Sequence, residues 1–229
     1  MKEQRRDTKK QGVIFDMDGT LIDSMAFWRK IRFHMCESYR ERTGQAVVFT
    51  DEETRKIERM SIGGALRYIN ERHHASITYN DDVKGALFRF YTGECRPKPG
   101  AIALVNRLKR DGLPLCVVTA TPRELAKAAL EHAGFCDDSF KFILTPEQVK
   151  GGKFHKPIFA VACLRLFKLP KNTVLIDDAA YAHYTASKLH IRCVGVHDSE
   201  RNDSLEDVTD CCFDSLKEVL DLYKKNGRL

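Results

Sequence analysis

Two carboxylates, Asp16 and Asp18, stand at the end of an apolar run in "VIFDMDGTLIDS", residues 13–24. Like charges crowded beside a hydrophobic segment are costly. The pair therefore asks for a bound cation, a phosphate-handling reaction, or both. In an extended chain, residues two apart point to the same side, so Asp16 and Asp18 can face one site while Met17 turns away. Gly19 supplies backbone freedom just beyond. A second acidic pair, Asp177 and Asp178, closes the run "NTVLIDD", and Thr119 to Thr121 close "LPLCVVTAT". A calcium loop of EF-hand type needs glycine at its sixth position and an acid at its twelfth; here the glycine is fourth and the twelfth residue is Phe27. A plain Asp-Gly turn would explain Asp18–Gly19 but leaves the second acidic pair unaccounted for.

The elements that must position these groups read as alternating strands and helices. Short, continuous apolar runs at 12–18, 113–120, 141–144, 172–178 and 191–196 read as strands buried on both faces. Between them, 99–112 ends on Gly112, and 121–134 opens with Thr121 as N-cap, Pro122 and a capping-box Glu124 before ending on Gly134. Helices over 158–168 and 179–189 continue the alternation. Repeated β-α units predict an α/β, doubly wound parallel sheet with right-handed crossovers. Ligands bind such sheets beyond the carboxyl ends of the strands, so the acids and hydroxyls converge on one rim.

Residues 24–93 differ. Trp28, Ile31, Met35 and Tyr39 mark one helical stripe, Thr50 and Glu53 form a capping box, and "GALRYINERHH" and "DDVKGALFRFY" read as further helices. The exit "CRPKPG" has the composition of a hinge. The expected organisation is a mobile basic tail over 1–11, a core domain over 12–23 and 94–229, and a small all-helical domain over 24–93 inserted after the first strand.

Of 229 residues, 43% are hydrophobic and 31% charged, the balance of a soluble globular protein with a real core. Residues 1–10 supply +3 of the net +6 (five Lys/Arg against Glu3 and Asp7). No basic stripe with interleaved aromatics follows, so no nucleic-acid partner is expected. No apolar run reaches the length of a membrane span and no signal peptide is visible, so no membrane association is expected. The eight cysteines show no CxxC or finger-like spacing. Cys116 and Cys193 lie in apolar runs where a thiol acts as a small hydrophobe, which suits a reducing cytoplasm. A monomer or weak dimer is expected.

"FDMDGTLIDS", "VVTAT" and "LIDD", in that order, resemble three motifs of the haloacid dehalogenase-like superfamily. A helical insert right after the first motif resembles the cap of its β-phosphoglucomutase and phosphoglycolate phosphatase subgroup, on a Rossmann-like core. The resemblance implies that Asp16 is a nucleophile forming an aspartyl-phosphate and that Asp18 is the general acid and base. It implies Mg²⁺ held by Asp16, the Asp18 backbone carbonyl, Asp177 and Asp178, with Thr119 and the Ala120 amide on phosphate oxygens. The third motif supplies a lysine. In "GGKFHKPIFA", counting back from Ile158–Phe159 favours Lys153, with Lys156 as runner-up. After "LIDD", Ala179 and Ala182 stand where relatives carry serine and glycine. Ser61 and Arg67 are candidate specificity residues of the cap. The implied activity is hydrolysis of a small phosphorylated metabolite. A sugar-phosphate mutase and a catalytically silent binding protein are the alternatives.

Overall fold

The computed structural model describes residues 11–200 and 204–229; residues 1–10 of the tail expected over 1–11 lie outside them. Gln11, read as the end of that tail, exchanges hydrogen bonds with Leu229 (Nε2 to O 3.1 Å, Leu229 N–H to Oε1 3.3 Å). Val13, Ile14 and Phe15 are wholly buried and form β1 (Gly12–Phe15). The chain then turns so tightly that the amides of Thr20, Leu21 and Ile22 all donate to the Met17 carbonyl. Gly19 takes φ 83° in this turn, a left-handed conformation that favours glycine. β2 (Ile22–Asp23) follows.

From there the chain runs through α1 (Met25–Thr43), α2 (Asp51–Glu58), α3 (Ile62–His73) and α4 (Lys84–Arg89), the last flanked by π-helical turns at Tyr79–Val83 and Phe90–Glu94. It returns into β3 (Arg96–Pro97), antiparallel to β2. There follow α5 (Ala101–Arg110), β4 (Leu115–Val118), α6 (Arg123–His132), β5 (Ile143–Leu144), α7 (Lys156–Arg165), β6 (Thr173–Asp177), α8 (Ala180–Ser187), β7 (Arg192–Val196), β8 (Cys211–Phe213) and α9 (Leu216–Asn226). The molecule divides into two compact units, Met25–Glu94 and the remainder.

In the remainder, six parallel strands lie in the order β5-β4-β1-β6-β7-β8. Alternation sends Ile14, Cys116, Leu175 and Cys193 to one face, where they pack with Ile158, Phe159 and Ala162 of α7 and with Ala182 and Ala186 of α8. The strand order places a switch point between β1 and β6: connections leave β1 toward β4 and leave β6 toward β7. Crevices at such points receive ligands.

In the helical unit, Ile31, Met35 and Tyr39 are buried as the stripe predicts, but Phe27 takes the buried place ahead of Trp28. Phe27 stacks on Phe90 at 4.1 Å, while half-buried Trp28 donates its indole N–H to the Tyr91 hydroxyl at 3.0 Å. Thr50 and Glu53 form the expected capping box. Buried Asp82 accepts a two-pronged contact from Arg42, each 3.0 Å, and fastens α1 to the Tyr79 turn.

Two local expectations need correction, and two elements went unread. β1 and β4 stop short of their apolar runs, so that Asp16, Asp18 and Thr119 to Thr121 lie in the turns that follow, whereas β6 runs on through Asp177 and leaves only Asp178 beyond it. α6 starts at Arg123 with no side-chain cap, since the Thr121 hydroxyl has another partner. β8 and α9 lie in sequence too polar or too short to read as strand and helix. No helix among the described residues is long and apolar enough to cross a membrane.

Candidate active site

Asp16 follows β1 directly, and its amide donates to the Ile176 carbonyl of β6 at 2.9 Å. Asp177 ends β6 and Asp178 follows it. One carboxylate oxygen from each of Asp16, Asp177 and Asp178 lies within 4.8 Å of the others, and all three residues are buried. Each sits at the β1–β6 switch point.

Lys153 enters this cluster from a 3₁₀ turn, Gly152–Phe154. Two glycines make the turn, Gly151 at φ 93° and Gly152 at φ 54°. A Cβ on Gly151 would sit 2.3 Å from the His155 ring, so both conformation and space demand glycine. The Lys153 ammonium lies 2.8 Å from Asp16 Oδ2 and 3.0 Å from Asp177 Oδ2. Lys156, the runner-up in the sequence, is the exposed first residue of α7.

Electrostatics follow from burial. Burial, then the charge of Asp177, holds the Asp16 carboxyl well above the ordinary carboxylate range against the pull of Lys153. Burial by itself would lower the Lys153 ammonium, but the charges of Asp16 and Asp177 outweigh it and hold it above the ordinary lysine range. Three carboxyl groups thus face one ammonium, so the acids outnumber the cation. Hard oxygen donors with that excess fit a divalent cation. The residues that could hold it are Asp16, Asp177 and Asp178. The Asp18 side chain is not among them.

Asp18 is half-buried and held elsewhere. Ser24 Oγ donates to its Oδ1 at 2.7 Å and Thr121 Oγ1 to its Oδ2 at 2.6 Å, with Thr119 Oγ1 3.5 Å from Oδ2. The buried Thr119 hydroxyl accepts the Thr121 amide at 3.1 Å, and Ala120 is exposed. Thr121 is therefore the residue that a helix-capping pattern misassigns: its hydroxyl serves the carboxylate on β1's turn. Thr20, whose Oγ1 donates to Asp178 Oδ1 at 3.2 Å across two strand ends, and Ser24, which reaches Asp18 only because the turn after β1 folds back, were also invisible as partners in the sequence. In the helical unit, Ser61 Oγ caps α3 by accepting the Gly64 amide at 3.1 Å, and Arg67 is exposed on the same helix.

A family model described as haloacid dehalogenase-like hydrolase matches residues 10–188. Hexitol phosphatase A of Escherichia coli is 23% identical over 223 residues, covering 95% of this chain and 96% of its own. A phosphorylated carbohydrates phosphatase of Thermotoga maritima is 24% identical over 182 residues, covering 74% and 76%. A crystal structure from Thermotoga maritima, assigned provisionally as a β-phosphoglucomutase, superposes with a TM-score of 0.77 at 24% identity, covering 94% of this chain and 99% of that one. CbbY from Rhodobacter sphaeroides, in complex with phosphate, superposes with a TM-score of 0.69 at 20% identity, covering 91% and 95%. These structural likenesses speak to the fold alone.

Proposed function

The chain belongs to the haloacid dehalogenase-like hydrolases, and on that footing we propose that it hydrolyses phosphomonoesters of small phosphorylated carbohydrates or polyols through an aspartyl-phosphate on Asp16, with Mg²⁺ as cofactor. The observation that carries the reading is the Asp16–Asp177–Asp178 cluster with Lys153 inside it, at the sheet's switch point. The substrate class is supported by the names of full-length relatives, a hexitol phosphatase and a phosphorylated carbohydrates phosphatase.

The steps fall to this chain's own groups. An Asp16 oxygen attacks phosphorus, forming the aspartyl-phosphate as the bond from phosphorus to the leaving oxygen breaks. Asp18, protonated, gives its proton to that oxygen and releases the alcohol. Asp18 then takes a proton from water, which attacks phosphorus, frees the Asp16 carboxylate and yields inorganic phosphate. Lys153 faces charge that develops on the phosphoryl oxygens, and Thr119 with the Ala120 amide would hold them. Mg²⁺, bound by Asp16, Asp177 and Asp178 with the Asp18 carbonyl, would shield the anionic nucleophile from the anionic ester. The two hydroxyls on Asp18 orient its carboxyl for both transfers. The helical unit, with Ser61 and Arg67 as candidates, supplies substrate selection.

A panel of phosphorylated hexitols, hexoses and smaller polyols, assayed for phosphate release with and without Mg²⁺, tests the reading. Release from polyol or sugar phosphates that stops in excess chelator is the expected result. Absence of release across the panel, or release untouched by chelator, would contradict it.

A further inference from the structure

His183, on the second turn of α8, has no part in the chemistry above. It is wholly buried, and its Nε2 lies 2.9 Å from the backbone carbonyl oxygen of Asp177. A carbonyl only accepts, so Nε2 carries the proton. Nδ1 is buried with no hydrogen-bond partner among the described residues. A buried, unsatisfied ring nitrogen costs free energy, and an aliphatic side chain would fill the same place without that cost. The contact that the ring does make is the one through Nε2.

We infer that His183 is a positioning residue for the metal-holding pair Asp177–Asp178, acting through the Asp177 carbonyl; the inference rests on the reading of these acids as cation ligands. The carbonyl of Asp177 and the amide of Asp178 belong to one planar peptide unit. Fixing that carbonyl fixes the plane from which the Asp178 side chain departs. The other Asp177 oxygens are also fixed: Oδ1 accepts the Ala179 amide at 2.9 Å, and Oδ2 accepts Lys153 at 3.0 Å. His183 supplies the third hold on the residue. The Cys193 thiol of β7 lies 3.6 Å from the His183 carbonyl and 3.5 Å from that of Ile191, and its one proton can serve either.

A neutral ring suits the task. It delivers a strong N–H donor to the strand end without adding positive charge to a cluster that must attract a cation. A lysine or arginine there would place a second cation beside Lys153 and weaken the pull on a metal. The expected consequence is on metal affinity rather than on the chemical step alone, because partners of ligating residues typically contribute about 10–100-fold in affinity.

Calorimetric titration of Mg²⁺ into the purified full chain, with thermal unfolding run alongside, tests this through His183→Gln and His183→Met. The two side chains are similar in length and flexibility, and only glutamine carries an N–H donor. The inference expects His183→Met to bind Mg²⁺ about 10–100-fold more weakly than the parent and His183→Gln to recover most of that loss. Should His183→Met not fold, His183→Asn, whose amide is too short to reach the carbonyl, replaces it with the same expected loss. Equal Mg²⁺ affinity in the donor-bearing and donor-lacking variants, with the parent binding normally, overturns the inference and leaves the proposed function standing. A parent that binds no Mg²⁺ overturns both.

Discussion

Lys153 bridges Asp16 and Asp177 from a buried position, and removing it leaves buried carboxylates short of a counter-charge. Lys153→Ala is expected to lower kcat by about 10²–10³, the usual cost of removing one preorganised donor. Mg²⁺ should also raise its melting temperature more than the parent's, because a ligand that binds only the folded state stabilises it and the variant has more charge to offset. Lys156→Ala, at an exposed helix start, should leave the rate near that of the parent. The reverse ranking in kcat would mean that the phosphate-facing lysine is Lys156. Lys153→Arg should rescue poorly, since a planar fork does not replace a compact ammonium. The buried thiols have a separate signature. Burial, with Asp82 adding for Cys36 and Asp210 for Cys193, pushes both up to about 12, so they remain protonated and inert at pH 8. Limited maleimide labelling at that pH should modify exposed Cys136 and spare Cys36, Cys116 and Cys193 until the chain is unfolded. Equal native labelling of the buried three would contradict the packing.

The 3₁₀ turn that delivers Lys153 depends on two left-handed glycines. Gly151→Ala would force an L side chain into φ 93° with its Cβ against the His155 ring. The expected cost is about 1–3 kcal/mol of stability, read as a lower melting temperature, together with a fall in kcat because Lys153 moves with the turn. Unchanged stability and rate would show that the turn has no bearing on the site. At this scale the sequence was legible wherever a continuous apolar run marked a buried strand: β1, β4, β6 and β7 lie within the runs that predict them. It was least legible where tertiary partners decided the outcome. Thr121 has every local mark of an N-cap, yet its hydroxyl donates to Asp18, and α6 begins uncapped two residues later. The two-residue β2 and β3 carry too little pattern to read. The short "CCF" of β8 and the charged α9 were likewise missed. The acids were legible because carboxylates at strand ends have few other reasons to be there, whereas Ser24, Thr20 and His183 acquire their roles only through contacts that close in three dimensions.

At the scale of the whole molecule, one compact unit carries the cluster and the other, Met25–Glu94, is helical throughout. If the helical unit selects substrate, replacing it with a short linker should leave a folded core that still releases phosphate from a generic aryl phosphate but no longer discriminates among sugar and polyol phosphates. Unchanged selectivity over the panel would remove that role, and so would a core that cannot fold alone. The central claim is that phosphate passes through Asp16. The measurement that tests it most directly is acid quenching of the enzyme during Mg²⁺-supported turnover of a sugar or polyol phosphate, followed by peptide mass mapping. The account predicts a phosphoryl group on the Asp16 peptide in the parent, and neither that adduct nor phosphate release in Asp16→Asn. Steady phosphate release with no adduct on Asp16, or full turnover by Asp16→Asn, would contradict it.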